Sequence, residues 1–250
     1  MFFGNDVYTK RLPLGGGEGV KETMTNGYMV YLLRILAAQG ALASVYTDPE
    51  DPEGFSAGFV EAVDGQHVLM CDLSPWGQID GWRVRRNQDV IQVLAGEEYE
   101  QRLAMLLAYH KQHHRCFFTE APAEDTDLLL SVLLACKERG EIVSVIMGDD
   151  MITGRVLEAN GLRLKLRLLD FFGREAEEET VTLREIEILE IATQEEKMYA
   201  VLEELAKQHN IQMPTEQLLL KAEAFALRAG GRSPRVAKQF IEQCEAGVQK

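Results

Sequence analysis

The residues best suited by type and spacing to do chemistry are three histidines and a cysteine near position 113. His110, His113, His114 and Cys116 form the pattern HxxHHxC at the end of a helical stretch. Histidines three or four positions apart share a helix face, and imidazole with thiolate is a ligand set that suits zinc. The alternative is a solvated helix end, where imidazoles interact favourably with the helix dipole. No second cysteine or carboxylate spacing supports the zinc site, so we expect no metal or other cofactor.

Catalytic motifs are not recognisable in this chain. Asp170-Phe171-Phe172-Gly173 resembles the metal-binding DFG segment of protein kinases, but the glycine loop, strand lysine and catalytic loop that accompany it there are missing. The segment is therefore predicted to be a turn. No serine or cysteine lies in a nucleophile motif, and the carboxylate pair Asp149-Asp150 has no evident partner. We expect a protein that is not an enzyme.

Two groups of basic residues are candidate binding sites. The first is Arg163, Lys165 and Arg167, which alternate with leucines and so share one face of a strand. The second is Arg228, Arg232, Arg235 and Lys238, near the predicted N-terminus of a helix, where a phosphate or carboxylate is welcome. Either group could bind RNA or an acidic partner. The alternative is an ordinary charged surface, with the second group attracted to the acidic remainder of the chain.

Composition is that of a globular protein with a strongly acidic balance. The 250 residues are 46% hydrophobic and carry a net charge of −14, which repels a phosphate backbone at long range. The four cysteines form no CxxC pair, which favours a reduced, cytoplasmic setting. No apolar stretch approaches the roughly 18 residues that span a bilayer, and no secretory signal is visible. A membrane partner is therefore not expected.

The pattern of apolar residues and turn signals predicts helices alternating with groups of five short strands. Leucines alternating with basic residues over 161–169 give the clearest half-buried strand. The predicted helices are 26–39, 97–112, 127–139 and 195–208. The predicted strands are 43–47, 56–63, 67–73, 82–86 and 90–94, then 142–147, 151–158, 161–169, 179–184 and 186–191.

Residues 40–112 and 140–209 follow one pattern with an offset near 100, which indicates an internal repeat. Glycine begins each copy, and serine stands four positions later, at Ser44 and Ser144. Further matches are Gly58 with Gly154, Asp64-Gly65 with Asn160-Gly161, Gly77 with Gly173, and Tyr99 with Tyr199.

A helix followed by five short, bent strands resembles the plan of Sm-like proteins, whose fold is a small open barrel. Gly58-Phe59-Val60 and Gly154-Arg155-Val156 resemble the family's glycine step, where glycine permits a sharp bend of the second strand. The Asp/Asn-Gly turns add to the likeness, although other SH3-type small barrels share these short motifs. The resemblance implies an α+β, mostly β fold of two tandem Sm-like five-stranded small barrels with flanking helices and a C-terminal helical hairpin.

The RNA pocket of the Sm-like family does not carry over with the fold. Asp64 and Asn160 match its first acidic or amide element, but apolar Val68 and Leu164 stand where the family has asparagine. The family's Arg-Gly step is absent from both copies. The resemblance thus implies the barrels without the uridine-type pocket, and fold alone does not establish function.

The C-terminal segment has a likeness of its own. Gly231-Arg232-Ser233-Pro234-Arg235-Val236-Ala237 resembles the lid region of AAA+ ATPases, where the arginine matching Arg235 contacts nucleotide phosphates. Residues 15–23 miss the phosphate-binding loop of such enzymes, because Val20 precedes Lys21 where glycine is required and Glu22 follows it. The likeness therefore covers a lid-like element without the ATPase core.

These observations predict five segments and a binding role. The segments are an N-terminal arm (1–25), a first Sm-like repeat (26–112), a linker (113–125), a second repeat (126–209) and a helical hairpin (210–250). We expect a non-catalytic intracellular binding or adaptor protein with a protein partner and a capacity for self-association. The alternatives are an RNA-binding Sm-like protein and an accessory subunit, or lid-like partner, of a AAA+ ATPase.

Overall fold

The computed structural model describes residues 20–49, 51, 54–120, 122–123 and 126–209. Most of the predicted N-terminal arm and the whole predicted hairpin of residues 210–250 lie outside these ranges. Within them the chain divides into two compact units, with the boundary between Ser131 and Val132. No helix in the described ranges is both long and apolar enough to cross a membrane.

The described helices and strands follow the predicted order. In each group of five strands, one short 3₁₀ turn precedes the last strand. The first half contains α1 (Val20–Gln39), β1 (Leu42–Tyr46), β2 (Phe55–Val63), β3 (His67–Leu73), β4 (Ile79–Arg86), a 3₁₀ turn (Asn87–Asp89), β5 (Gln92–Ala95) and α2 (Glu98–Tyr109). The second half contains α3 (Leu128–Arg139), β6 (Ile142–Met147), β7 (Asp150–Ala159), β8 (Arg163–Leu169), β9 (Glu175–Thr182), a 3₁₀ turn (Leu183–Glu185), β10 (Ile188–Ile191) and α4 (Gln194–His209).

In the first unit the described strands form an open antiparallel sheet in the order β5-β1-β2-β3-β4, and in the second unit they form one in the order β10-β6-β7-β8-β9. Closing a barrel within the first five strands would require β4 to pair with β5. Instead β5 pairs with β1, so β5 and β4 lie at opposite ends of the strand order in the first unit. The two separate Sm-like small barrels predicted from the sequence are therefore wrong, and so is their tandem repetition. The fold is α+β.

In the first unit, α1 covers one face of the strands. Leu33 and Leu36 of this helix pack against Val45 of β1 and Val60 of β2 in the main apolar cluster. Successive strand residues point to opposite faces, so the other face needs a second cover. That cover is α2, whose Leu103 and Leu107 pack with Ala57 and Leu73 in a further cluster.

In the second unit, α4 is held to the sheet by apolar and ionic contacts. Tyr199 packs with Ile142 and Leu169 in one buried cluster. Arg155 of β7 forms an ion pair with Glu203 of the same helix. Buried and exposed positions of α4 therefore alternate with helical spacing: Glu196, Tyr199 and Glu203 are turned inward.

Gly58 and Gly154 lie where two strands approach too closely for a side chain. A Cβ at Gly58 would overlap the carbonyl oxygen of Cys71 and lie 2.8 Å from the Cα of Asp72. A Cβ at Gly154 would overlap the carbonyl oxygen of Arg167 in the same way. Close backbone approach explains these glycines without a barrel bend.

Candidate functional site

A buried carboxylate, Glu61, lies at the centre of the clearest polar cluster in the first unit. The register between β2 and β3 shifts between Val60 and Ala62, so Glu61 is the extra residue of a β-bulge. Alternation along β2 places Glu61 on the same sheet face as Phe59, which α2 and the following segment cover. Only 4% of the Glu61 side chain is exposed.

Three donors hold the Glu61 carboxylate. Trp82 Nε1 donates to Oε1 over 2.9 Å, and the backbone N–H of Phe117 donates to Oε2 over 2.7 Å. The His114 Nε2 atom lies 2.8 Å from Oε1. A buried charge needs such partners, because burying a carboxylate without them is strongly unfavourable.

His114 is oriented by stacking and by the path of the chain after α2. Its ring stacks on Phe59, with centroids 4.3 Å apart and an interplanar angle of 12°. Lys111, at φ 55°, turns the chain at the end of α2. Phe117 then packs edge-on against Trp82, with centroids 5.6 Å apart. The segment 112–118 is thereby fixed against β2 and β4.

Cys71 completes the cluster from the neighbouring strand. It lies in β3 directly opposite Phe59 of β2 and Trp82 of β4, so it shares their sheet face. One ligand atom each from Glu61, Cys71 and His114 lies within 4.8 Å of the others. The side chain of Cys71 is fully buried. A nucleophile must meet its substrate, so this geometry suits a metal ligand better than an attacking thiolate.

The structure separates the histidines and the cysteine of the HxxHHxC pattern. His114 joins Glu61, whereas His110 Nε2 lies 3.0 Å from the carbonyl oxygen of Trp76. His113 and Cys116 are exposed. In the described part of the chain, no group of three potential metal ligands contains His110, His113 or Cys116.

A second group of potential ligands, Asp64, His67 and Asp127, has a structural explanation. Asp64 Oδ1 accepts the backbone N–H groups of Gln66 and His67 in the β2–β3 turn, and Oδ2 accepts that of Leu128 over 2.8 Å. Asp127 Oδ1 accepts the N–H of Leu130 in the first turn of α3. Both carboxylates thus complete turns or helix ends.

Burial on its own would raise the pKa of Asp64. The neighbouring imidazole of His67 and the backbone N–H groups of Leu128, His67 and Gln66 outweigh it, and the pKa falls to about 2. Asp64 is therefore ionised throughout the physiological range and contributes to the stability of the turn.

The basic stripe of β8 lies beside the acidic strand β9. Lys165 Nζ lies 2.7 Å from a carboxylate oxygen of Glu178, and Arg167 forms ion pairs with Glu178 and Glu175. These carboxylates compete with any phosphate for the same cations. Arg163 is exposed at the start of the strand. The stripe therefore resembles a charge-matched sheet surface rather than an open anion site.

The second predicted basic group, Arg228, Arg232, Arg235 and Lys238, lies outside the described residues. Of the other motifs, Asp170-Phe171-Phe172-Gly173 forms the turn between β8 and β9. Asp170 Oδ1 accepts the N–H groups of Phe172 and Arg174, 2.9 Å away in each case. This carboxylate organises a turn, as predicted.

Both α2 and α4 present apolar side chains away from the sheet. On α2, Met105 is 74% exposed and Tyr109 is 79% exposed. Met105 and Tyr109 are four positions apart and so share a helix face. Trp76 is 73% exposed in the turn between β3 and β4, and its carbonyl oxygen contacts His110 at the end of α2. On α4 the exposed apolar side chains are Met198, Val201 and Leu205.

Sequence reasoning found His114 but missed Glu61 and Cys71. A signal existed for Glu61: it is an acidic residue inside the strand sequence FSAGFVEAV, where an ordinary alternation of exposed and buried positions also accounts for a charge. Cys71 reads as a core residue. The strand pairing and the path of the chain after α2, which bring the three together, have no signature in the sequence.

Comparison with known proteins yields partial matches. The family described as "Protein of unknown function (DUF815)", which is related to AAA+ ATPase-like proteins, matches residues 170–248. A putative mitochondrial serine hydroxymethyltransferase from Neurospora crassa is 32% identical over 78 residues, which are 31% of this chain and 14% of that protein. The chain thus spans a small part of that relative's length. No solved structure matches.

Proposed function

We propose that this chain is a binding protein that holds a protein partner on the exposed apolar faces of its helices. The observation that carries the proposal is the exposure of Met105 and Tyr109 on the outward face of α2 and of Trp76 in the turn whose backbone contacts His110, each more than 70%. Large apolar side chains exposed near one another are typical of interaction sites on folded proteins.

The types of residue on this face are those that interfaces use. Aromatic residues and methionine are enriched where proteins bind one another, and tryptophan and tyrosine dominate the binding free energy. The rest of α2 is firmly seated, because Leu103 and Leu107 are buried. A rigid helix presenting apolar side chains loses little conformational entropy when a partner covers it.

The α4 face supports the same role independently. Met198, Val201 and Leu205 occupy positions i, i+3 and i+7, which align along one side of a helix. Glu196, Tyr199 and Glu203 occupy the opposite side and anchor it. Each unit thus offers one apolar helix face to a partner.

The test is a quantitative pull-down from cells that express this protein, comparing the wild type with Met105→Ser/Tyr109→Ser. Leu162→Ser is the matched control, because Leu162 is 67% exposed in the turn between β7 and β8 and is not part of a helix. We expect a specific partner to be depleted at least tenfold by the double substitution and retained by the control. Equal recovery with all three proteins would refute the proposal, and loss of a second copy of the chain would identify self-association.

An accessory role for a AAA+ ATPase is a second candidate, which the family match favours. That match covers α4 and continues through the segment containing Arg235. A lid-type arginine would supply a positive charge to nucleotide phosphates bound by the partner. This role requires no nucleotide hydrolysis by the described sheet.

Arg235→Ala tests this second candidate, with Lys221→Ala as a control that removes an equal charge from the same tail. ATP binding is measured by fluorescence with a labelled nucleotide, for the chain alone and with any ATPase recovered in the pull-down. We expect Arg235→Ala to weaken nucleotide or ATPase binding at least fivefold while Lys221→Ala does not. Equal effects of both changes would mean that only the general charge of the tail matters.

A further inference from the structure

We propose that Glu61, Cys71 and His114 form a binding site for a zinc-type divalent cation, with Cys71 Sγ, His114 Nε2 and a Glu61 carboxylate oxygen as its three protein ligands. Cysteine, histidine and glutamate are the three side chains that bind zinc most often. The proposal is independent of the partner-binding role, since it rests on buried side chains of β2, β3 and the segment after α2 rather than on the exposed side chains of α2.

Distances between the candidate ligand atoms are close to those of a zinc centre. In a tetrahedral site with bonds of roughly 2.0–2.3 Å, the ligand atoms lie about 3.5 Å apart. Here the three atoms lie within 4.8 Å of one another, and His114 Nε2 lies 2.8 Å from Glu61 Oε1. Side-chain adjustments of about an ångström therefore bring all three onto one ion.

The surroundings of Glu61 resemble the outer shell of a metal site. Ligating carboxylates are themselves hydrogen-bonded, which fixes their orientation. Trp82 Nε1 and the N–H of Phe117 donate to the Glu61 oxygens and leave lone pairs for an ion. Stacking on Phe59 fixes the plane of the His114 ring. Two of the three ligands are thus oriented before any ion arrives.

Access and coordination number follow from the burial of each ligand. Cys71 is fully buried, Glu61 nearly so, and the His114 side chain is 20% exposed. An ion therefore enters along His114, and the fourth position faces the same side. Three protein ligands with one open position leave room for water or for a group from a bound molecule.

Proton release provides a signature of the site. Thiolate, not thiol, binds zinc, so the Cys71 Sγ–H bond breaks and its proton passes to solvent as the Sγ–Zn bond forms. The imidazole binds through Nε2, and its remaining proton resides on Nδ1. Zinc affinity must therefore rise with pH, by up to tenfold per pH unit below the pKa of the thiol.

The experiment is calorimetric titration of the full-length chain with Zn²⁺ alone, repeated in two buffers of different ionisation enthalpy to count released protons. His114→Gln and Cys71→Ser are the test variants. His113→Gln and Cys116→Ser are the matched controls, because each removes the same chemical group from an exposed neighbouring position. Thermal unfolding of every apo-protein establishes that the variants are folded.

We expect one Zn²⁺ bound below micromolar concentration, with affinity reduced at least 30-fold in both test variants and unchanged in both controls. A loss caused by His113→Gln and Cys116→Ser would assign the metal to the linear HxxHHxC pattern and overturn the proposal. Binding weaker than micromolar in the wild type, or binding unaffected by His114→Gln, would overturn it as well.

Co²⁺ in place of Zn²⁺ reports the thiolate directly, so the proposal stays testable if Cys71→Ser fails to fold. A cobalt–thiolate bond gives an intense charge-transfer absorption in the near ultraviolet. We expect that absorption in the wild type, in Cys116→Ser and in His113→Gln. Its absence from the wild type, or its loss in Cys116→Ser, would show that Cys71 is not a ligand.

Discussion

Two buried glutamates tie the helix after each group of five strands to the first strand of that group. Glu100 accepts a hydrogen bond from Ser44, and Glu196 accepts one from Ser144. The second oxygen of each carboxylate accepts a backbone N–H at the start of its own helix, from Glu97 and Thr193 respectively. One carboxylate therefore caps a helix and fastens it to the sheet.

Ser144→Ala is predicted to lower the free energy of unfolding by about 1–3 kcal/mol, because it leaves the buried Glu196 carboxylate short of a donor. Glu196 is 2% exposed, so water does not replace the hydroxyl. Ser131→Ala is the control, since the Ser131 hydroxyl donates to the Asp127 carbonyl at an exposed position. Urea denaturation measures both; equal stability of the two variants would contradict the prediction.

Asp64 gives a pH dependence whose sign is fixed by its lowered pKa. A carboxyl group with a pKa of about 2 in the folded chain and about 3.8 when unfolded stabilises the fold above pH 4, and this contribution is lost as pH falls toward 2. After allowance for solvent screening it amounts to about 1–2 kcal/mol.

Asp64→Asn should therefore be less stable than the wild type at pH 7, and the difference should shrink between pH 4 and pH 2. Asn retains a carbonyl oxygen for the turn but has no charge to lose. Urea denaturation across this pH range measures the difference, with Asp149→Asn, in the exposed β6–β7 turn, as the control for general charge. A difference that stays constant with pH would contradict the assignment.

At the scale of the helix and strand, glycine at two positions decides whether neighbouring strands can pair. Gly154→Ala should lower the free energy of unfolding by several kcal/mol, because the new methyl group meets the backbone of Arg167, which cannot turn aside as a side chain does. Gly161→Ala is the matched control: a Cβ there meets nothing within 4 Å. The denaturation midpoints of Gly154→Ala and Gly161→Ala are compared. Similar midpoints would contradict the prediction, because they would mean that β7 and β8 can move apart with little loss of stability.

The positions of the ten strands could be predicted from the sequence, but whether those strands close into barrels could not. Turn signals such as Asp64-Gly65 and the alternation in β8 depend on local chemistry, which the sequence shows directly. Whether β4 pairs with β5 and closes a barrel depends on contacts between residues far apart in the chain. The resemblance to Sm-like proteins predicted that the strands close into barrels, and the observed strand order contradicts that prediction.

The candidate metal site shows the same division between local and distant information. His114 belongs to a visible cluster of histidines, but its partners Glu61 and Cys71 lie 53 and 43 positions earlier in the chain. The pairing of β2 with β3 and the path of the chain after α2 bring the three side chains together, and both depend on contacts between residues far apart in the chain. Spacing rules that serve for ligands on one helix cannot detect such a set.

At the scale of the whole molecule, a net charge of −14 sets how the protein responds to salt. Self-repulsion among like charges destabilises a compact state, and raising the salt from about 10 mM to about 150 mM shortens the screening length from roughly 30 Å to roughly 8 Å. Salt also weakens exposed ion pairs such as Lys165–Glu178, which contribute little to stability in any case. The screening of repulsion should therefore change the stability more than the weakening of ion pairs does.

We accordingly predict that Tm rises between these two salt concentrations, and that Glu177→Gln raises it further at low salt than at high salt. Glu177 is exposed on β9, so the substitution removes one negative charge from the acidic strand without removing a buried group. Scanning calorimetry with a chelator present keeps metal binding out of the comparison. A Tm that falls as salt is added would show that ion pairs between β8 and β9 outweigh the repulsion. In that case Glu177→Gln, which leaves Glu178 and its two cationic partners in place, should have no effect at either concentration.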